Sequence, residues 1–254
     1  MKSLYVRRNA LDVDLDAPIY RIVPLDYLLD DIRSRRLTHT RIGRYKWGDP
    51  SENPLLMRSF VDPQSGQTLT LNGIVENMFA SCWSIAPLDG VGDWASFSHG
   101  LPSVRIEATA RRLLDAVMTD SNPHYSVQHS IGKVHYFSEA DLIAYFSDPD
   151  YSKHLDSLGH GIHLTLMSLG LDMQPENEVR LVYDFIRSEP WVQQNVRLAD
   201  EHHAQVPFRW PDTIQSIVIG PFVRPGGQKA AEQEFQKLGV VCPVSSSEVR
   251  AHSG

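Results

Sequence analysis

The pattern of apolar and polar positions predicts strands and helices in mixed order. Strands are predicted where apolar residues run together or alternate, and helices where they recur at helical spacing, as at Leu25, Leu28, Leu29 and Ile32. The predicted strands are 17–23, 37–40, 76–86, 103–108, 126–137, 178–185, 213–220 and 240–245. The predicted helices are 24–36, 89–100, 109–118, a segment that begins at Ser138, 151–170 and 226–239.

These elements do not follow a regular βαβ rhythm, so they favour an α+β fold over a doubly wound parallel sheet. We expect a single α+β domain over residues 1–249, followed by a flexible tail at 250–254. A chain of 254 residues is long enough to bury a sizeable core without disulfides or structural metals.

Composition narrows the class of protein. Apolar residues make up 42% and charged residues 22%, as in ordinary globular proteins, and the net charge of −7 argues against a dominant basic surface. The two cysteines, Cys82 and Cys242, lie far apart, which suits a reducing compartment. No apolar segment has the length of a signal peptide core or a membrane helix. We therefore expect no membrane partner and a protein that is cytoplasmic, or exported without a classical signal peptide.

Two pairs of ring-bearing side chains stand at helical i, i+3 spacing. His160 and His163 could bind a metal only with a third ligand from elsewhere, and none has suitable local spacing, so no metal site is predicted. Trp94 and Phe97 are expected to pack in the core, although they could also form an aromatic wall for a planar base.

Polar residues at the ends of apolar strands are the candidates for chemistry. Glu176 and Glu178 precede the strand 178–185, either as a solvent-exposed turn or with one carboxylate aimed into a cleft. Arg21 lies within an apolar strand, where it needs acceptors: a structural ion pair or a phosphate group. No G-x-S-x-G motif surrounds Ser81 or Ser84, so each is expected to orient a ligand or cap a turn.

Several short motifs resemble, in order, a widespread bacterial family that is known as a domain of unknown function. The matching residues run through most of the chain: Tyr20-Arg21, residues 48–55, Cys82-Trp83-Ser84, Trp94 with Phe97 and Gly100, residues 176–181 and Gly220-Pro221. Phe97 stands where that family usually has tyrosine.

A narrower resemblance is to ADP-ribosyltransferases of the Arg-Ser-Glu type. "IYRIV", "FASCWS" and "ENEVRLV" are similar to their arginine strand, serine strand and glutamate turn. The resemblance implies a split β core surrounded by helices, with NAD as substrate. Here Ser-Cys-Trp-Ser replaces Ser-Thr-Ser, and the long gap from Ser84 to Glu178 implies an insertion.

The resemblance also implies roles for individual residues. Glu178 would be the catalytic glutamate, and Glu176 would help to choose the acceptor. The other residues that it places at the NAD site are Arg21 on the phosphates with Tyr20 beside it, Ser81 or Ser84 on the nicotinamide side, and Trp83 or Tyr45 stacked on a ring.

The chemistry of NAD cleavage suits a carboxylate pair. Breaking the nicotinamide–ribose bond passes through an oxocarbenium-like state, which a fixed carboxylate stabilises. The hypothesis is an NAD-dependent ADP-ribosyltransferase that modifies an unknown protein or nucleic acid, as a bacterial toxin, effector or defence protein would. The alternative is a non-enzymatic ligand-sensing or protein-interaction module on the same fold.

Overall fold

A computed structural model describes residues 2–43, 52–62, 64–119, 121–147, 154–156 and 159–249. The chain forms two compact units. The first comprises Met1–Val13, Thr38–Cys82 and Met118–Val206, and the second comprises Asp14–Leu37, Trp83–Val117 and Pro207–Gly254. The single domain expected over 1–249 stays a prediction, and the expected tail at 250–254 lies outside the described residues.

Strands are distributed over the whole described chain. In chain order they are β1 (Ala10–Leu11), β2 (Pro18–Pro24), β3 (Arg36–Arg41), β4 (Ser59–Val61), β5 (Thr68–Thr70), β6 (Met78–Ser84), β7 (Ser103–Thr109), β8 (His129–Lys133), β9 (His135–Phe137), β10 (Ser168–Gly170), β11 (Glu178–Asp184), β12 (Arg197–Leu198), β13 (His203–Pro207), β14 (Ser216–Ile219) and β15 (Val244–Ser246).

Helices alternate irregularly with these strands. They are α1 (Lys2–Arg8), α2 (Leu25–Ser34), α3 (Asn72–Val75), α4 (Val91–Ser98), α5 (Ala110–Val117), α6 (Pro123–Val127), α7 (Glu139–Ser147), α8 (His160–Thr165), α9 (Pro190–Asn195), α10 (Trp210–Thr213) and α11 (Pro225–Lys237). Short 3-10 helices lie at Pro54–Met57 and Leu171–Glu176. Within the described chain the mixture of helices and sheets confirms the predicted α+β class.

The first unit is built on a mixed sheet. Strand β8 pairs in parallel with β1 and antiparallel with β11, and β11 lies beside β6. Strand β6 pairs antiparallel with β3 through Thr40 and Ala80. One face of this sheet packs on a buried apolar cluster that includes Ala80, Val182 and Met167.

The second unit is built on the strands β2, β7, β14 and β15. Strand β7 pairs antiparallel with β2 and with β14, and β14 pairs in parallel with β15. At the edge of β2, Tyr20 pairs with Ser84 at the end of β6. Trp94 of α4 is buried against Ile22 with Phe97 packed beside it, so the prediction that Trp94 and Phe97 belong to the core is confirmed.

Most predicted elements are present, but the boundaries of some are wrong. The predicted helix at 151–170 is helical only at α8 in its described part, because Ser168–Gly170 instead pairs in parallel with β9. The predicted strand at 126–137 begins in helix α6, which Asn122 starts by accepting a hydrogen bond from the Tyr125 amide.

The ends of two predicted strands also differ. Thr213 belongs to α10, so the strand predicted at 213–220 begins at Ser216. The last strand is β15 rather than 240–245, since Pro243 directly before it has no amide hydrogen to donate. In the described part of the chain no helix has the length and apolar character that crossing a membrane requires.

Candidate active site

The two glutamates singled out from the sequence lie on either side of a sharp turn. Glu176 ends the 3-10 helix Leu171–Glu176, and Glu178 is the first residue of β11. Asn177 between them has a φ of 46°. Asparagine tolerates this left-handed conformation better than most residues, so the sequence Glu-Asn-Glu suits an abrupt change from helix to strand.

Glu178 forms a buried ion pair with Arg180. The two residues are two positions apart on β11, so their side chains lie on the same face of the sheet. Arg180 donates from Nε to Glu178 Oε1 at 2.9 Å and from Nη2 to Glu178 Oε2 at 3.0 Å. Glu178 is only 3% exposed. The carboxylate is therefore held inside the first unit, and it does not lie on a solvent-exposed turn.

Arg180 also binds a second glutamate and a backbone carbonyl. Its Nη2 donates to Glu52 Oε2, and its Nη1 donates to the carbonyl oxygen of Leu166 at 2.7 Å. Burial disfavours the charged guanidinium, but Glu178 and Glu52 outweigh that cost and raise the pKa of Arg180. We call Glu52, Glu178 and Arg180 the buried triad.

Glu176 lies beside the buried triad, and its pKa is raised. Burial raises the pKa of Glu176 to about 7, and the negative charges of Glu178 and Glu52 add to the shift, while Arg180 opposes it. Glu176 is half-buried. A carboxyl group with this pKa can take up and release a proton near neutral pH, which is what general acid–base catalysis needs.

Tyr136 and Cys82 border the same carboxylates. The amide of Glu178 donates to Tyr136 Oη at 2.8 Å. Burial raises the pKa of Tyr136 to about 12, and the charge of Glu178 adds to it, so this phenol stays neutral. Burial, followed by the charge of Glu178, also raises the pKa of the Cys82 thiol well above its ordinary value. Cys82 is therefore a poor nucleophile.

Arg21, Tyr20 and Ser84, which the resemblance assigns to NAD binding, lie in the second unit. Arg21 is half-buried and pairs with Ile106 across the sheet, whereas Tyr20 pairs with Glu107 and Ser84. Ser84 Oγ accepts a hydrogen bond from the amide of Ala86 at 3.0 Å. Ser84 therefore caps the turn after β6, which was one of its two predicted roles.

The remaining residues that the resemblance places at the NAD site are either deeply buried or lie outside the described part of the chain. Ser81 is 1% exposed and Trp83 is 3% exposed, so neither offers much surface to a ligand. Tyr45 lies outside the described residues. Ser81, Glu176 and Glu178 belong to the first unit, and Trp83 belongs to the second. That these groups meet at one dinucleotide stays a prediction.

The two histidines at helical spacing differ in burial, because His163 is buried and His160 is half-buried. His163 is 3% exposed, and its Nδ1 is hydrogen-bonded to Ser130 Oγ. Among the residues that the structure describes, no cluster of three or more His, Cys, Asp or Glu side chains could hold a metal ion. That His160 and His163 bind no metal stays a prediction.

Sequence reasoning did not assign roles to Arg180, Glu52, Tyr136 and Cys82. The spacing of Glu178 and Arg180 could have identified their pairing, because alternate residues of a strand share a face. Glu52 and Tyr136 carried no comparable signal, since they reach the triad from distant parts of the sequence.

No family model and no curated protein matches the chain. Among solved structures, it is similar to Thermus sp. 2.9 DarT in complex with NAD+ and in complex with carba-NAD+. Each match has 11% identity, covers 92% of this chain and 96% of the other, and has a TM-score of 0.36. The same protein in complex with ADP-ribosylated ssDNA matches at 12% identity, with 92% and 95% of the chains covered and a TM-score of 0.39. The likeness is distant in sequence and in geometry.

Proposed function

We propose that the chain transfers ADP-ribose from NAD to a macromolecular acceptor, with Glu178 and Glu176 as the reacting carboxyl groups. The observation that carries this proposal is their unequal environment at the start of β11. Glu178 is held by Arg180 through both carboxylate oxygens, whereas the pKa of Glu176 is raised to about 7. Neighbouring carboxyl groups with such different environments are typical of sites that cleave glycosidic bonds.

Each carboxyl group has a defined task in the proposed reaction. The bond between nicotinamide and ribose C1′ breaks, and nicotinamide leaves with the bonding electron pair as a neutral molecule. Glu178 stabilises the positive charge that develops on the ribose, and Arg180 fixes its orientation in advance. Glu176, as the base, accepts the proton from the acceptor group that attacks C1′, and then returns it to water.

The proposal extends to the fold, the substrate and the acceptor. It includes the split β core of ADP-ribosyltransferases, NAD as a consumed substrate, and an acceptor that is a protein or a nucleic acid. A role as a toxin, effector or defence protein belongs to the same proposal.

The burial of Glu178 favours a second candidate function. Both oxygens of Glu178 are occupied by Arg180, and the side chain is only 3% exposed. In the second candidate the buried triad is structural and holds β11 to the segment around Glu52. The protein would then be a non-enzymatic ligand-sensing or interaction module.

Nicotinamide release from NAD by the purified 254-residue chain separates the two candidates. Glu178→Gln is expected to lower the rate about 100- to 1000-fold, the usual effect of losing one preorganised electrostatic contact. Glu176→Gln should reduce transfer of labelled ADP-ribose to the macromolecules of a cell extract more than it reduces NAD hydrolysis. Asp172→Asn is the control, because this exposed carboxylate lies in the same 3-10 helix as Glu176.

A thermal melt of each variant shows whether a lost rate reflects lost folding. If the wild-type protein melts cooperatively yet releases no nicotinamide with or without the extract, the transferase proposal is wrong and the binding module takes its place. Equal rates for wild type and Glu176→Gln in both assays would remove Glu176 from the mechanism.

A further inference from the structure

We infer that the guanidinium of Arg105 is the anion-binding group of the second unit. The carboxylate of Asp89 binds this guanidinium in the place where a pyrophosphate would otherwise bind. The inference rests on the proposed function in naming the pyrophosphate of NAD as the anion. It revises the sequence-based expectation that Arg21 holds the phosphates. The argument depends on which face of the sheet each arginine occupies.

Sheet register places Arg105, and not Arg21, on the face of Tyr20 and Ser84. Residues directly opposite each other in an antiparallel pair lie on the same face. Tyr20 pairs with Ser84 on one side and with Glu107 on the other, and Arg105 is two positions from Glu107 on β7. Arg21 follows Tyr20 on β2 and pairs with Ile106, so it lies on the opposite face.

Direct contacts agree with this register. The guanidinium carbon of Arg105 lies 5.3 Å from the centre of the Tyr20 ring. Ser216 Oγ donates to Glu107 Oε2 at 2.7 Å, as expected for residues that pair across β7 and β14. Glu107 is thus a second carboxylate on this face, and Ser216 holds it.

The loop between β6 and α4 covers the guanidinium. Arg105 Nη1 donates to the carbonyl oxygen of Pro87 and to the carboxylate of Asp89. The side chain of Arg105 is 13% exposed, whereas that of Asp89 is 66% exposed. Asp89 therefore lies on the solvent side of Arg105, where an approaching anion would have to bind.

Leu88 anchors this covering loop. It is buried in the apolar cluster with Ile22 and Trp94, and it has a φ of 53°. A left-handed conformation is unfavourable for leucine, so the burial of its side chain holds the loop in a strained turn. The exposure of Asp89 leaves its contact with Arg105 open to competition from an anion in solution.

A pyrophosphate is such an anion. Because the side chain of Asp89 is 66% exposed, its carboxylate stays in contact with water, and its pairing with Arg105 gains little free energy. A guanidinium binds phosphate oxygens through two parallel hydrogen bonds, and a pyrophosphate carries more charge than one carboxylate. Tyr20 supports the guanidinium from below with its ring face, so Arg105 needs no rearrangement of the sheet to bind.

Calorimetric titration of the 254-residue chain with inorganic pyrophosphate, and then with ADP-ribose, tests the inference. Asp89→Asn is expected to tighten binding of both ligands, by up to about fivefold, because a competing ion pair is removed. Arg105→Gln should weaken binding at least about tenfold, and Arg105→Lys should weaken it less. Arg112→Gln is the control, since it removes the charge of an exposed arginine on α5.

Arg21→Gln supplies the direct comparison. The inference requires that Arg105→Gln lower the affinity for pyrophosphate more than Arg21→Gln does. The opposite order, or unchanged affinity in both Asp89→Asn and Arg105→Gln, would overturn it. Because Arg105 is packed on Tyr20, the thermal melt of each variant is recorded, and Arg105→Lys keeps the test valid if Arg105→Gln unfolds.

The same variants distinguish this inference from the proposed function. If pyrophosphate binding follows the expected pattern but NAD is not consumed, the anion site stands and the transferase proposal fails. If NAD is consumed at the wild-type rate by Arg105→Gln at low NAD concentration, the transferase proposal stands and the assignment of Arg105 is wrong.

Discussion

Arg180 donates two hydrogen bonds, of 2.9 and 3.0 Å, to the carboxylate of Glu178, and both side chains are almost fully buried. Removing one partner from a buried ion pair leaves an unpaired charge in the interior, which costs far more than the pair itself contributes. Arg180 also pairs with Glu52, so the guanidinium and the two carboxylates form one connected ion-pair network.

The triad predicts an order of stability losses. Arg180→Met leaves Glu52 and Glu178 without their cation and should reduce the free energy of unfolding by about 3–5 kcal/mol. Glu178→Gln leaves Arg180 paired with Glu52 and should reduce it by a smaller amount, about 1–3 kcal/mol. Urea denaturation at pH 7 measures both values. A larger loss for Glu178→Gln than for Arg180→Met would contradict the shared-cation arrangement.

The raised pKa of Glu176 predicts that the stability of the fold decreases as the pH rises. Its pKa is raised to about 7 in the folded protein, so between the ordinary carboxyl pKa and about pH 7 the folded state binds more protons than the unfolded state. The wild-type free energy of unfolding should therefore fall, by about 1–3 kcal/mol from this group, as the pH rises from 5 to 8.

Comparison with Glu176→Gln isolates this contribution. The variant cannot lose a proton at position 176, so it should gain stability relative to the wild type as the pH rises through that window. Parallel urea titrations at constant ionic strength provide the difference, in which titrating groups that do not interact with Glu176 cancel. A difference that is constant from pH 5 to 8 would show that Glu176 keeps an ordinary pKa.

The sequence was sufficient for elements whose signal is local. Strands β2 and β11 follow from segments rich in apolar residues, and the amide of Asp141 donates to Ser138 Oγ at 3.1 Å, as expected for a helix that begins at Ser138. The end of the predicted helix 151–170 was wrong because β9 offers an edge that Ser168–Gly170 joins, and such pairing depends on distant residues.

In the candidate site, too, contacts between sequence neighbours were predictable, whereas contacts between residues far apart in the chain were not. The proximity of Glu176 and Glu178 was evident from the sequence, and so was their mutual repulsion. The buried triad was not evident, because Arg180 also binds Glu52, which lies 128 residues from it along the chain. Whether Arg21 or Arg105 can reach an anion depends on sheet register, which apolar periodicity does not specify.

His129 predicts a loss of stability in mild acid. Its ring is 0% exposed, stacks on Tyr183 at 4.6 Å, and is hydrogen-bonded through Nδ1 to the carbonyl oxygen of Tyr125 at 3.2 Å. Burial lowers its pKa to about 3, with a smaller contribution from His163. Below about pH 6.5 the unfolded state gains a proton that the folded state does not, so stability falls by up to about 1.4 kcal/mol per pH unit.

His129→Phe tests this origin of acid sensitivity. Phenylalanine keeps the contact with the Tyr183 ring but cannot be protonated, so the loss of stability between pH 6.5 and 5 should be smaller than in the wild type. His124→Phe is the control, because His124 is exposed on α6 and should leave the wild-type slope unchanged. Equal slopes for all three proteins would assign the acid sensitivity to other groups.

Gly132 on β8 predicts a steric limit directly opposite the triad. Gly132 pairs with Arg180 across the sheet, and a Cβ at this position would lie 2.2 Å from Met167 Sδ and 2.8 Å from the carbonyl oxygen of Leu11. The methionine side chain can move, but the Leu11 carbonyl is held in place because β1 pairs with β8. Gly132→Ala should therefore reduce the free energy of unfolding by about 1–3 kcal/mol, as overpacking of a core does.

Gly73→Ala is the matched control: this exposed helical position has open space around it, so the change should be neutral or stabilising. Urea denaturation of the two variants measures both effects, and a loss at Gly73 as large as that at Gly132 would mean that the steric contact with Leu11 is not the cause.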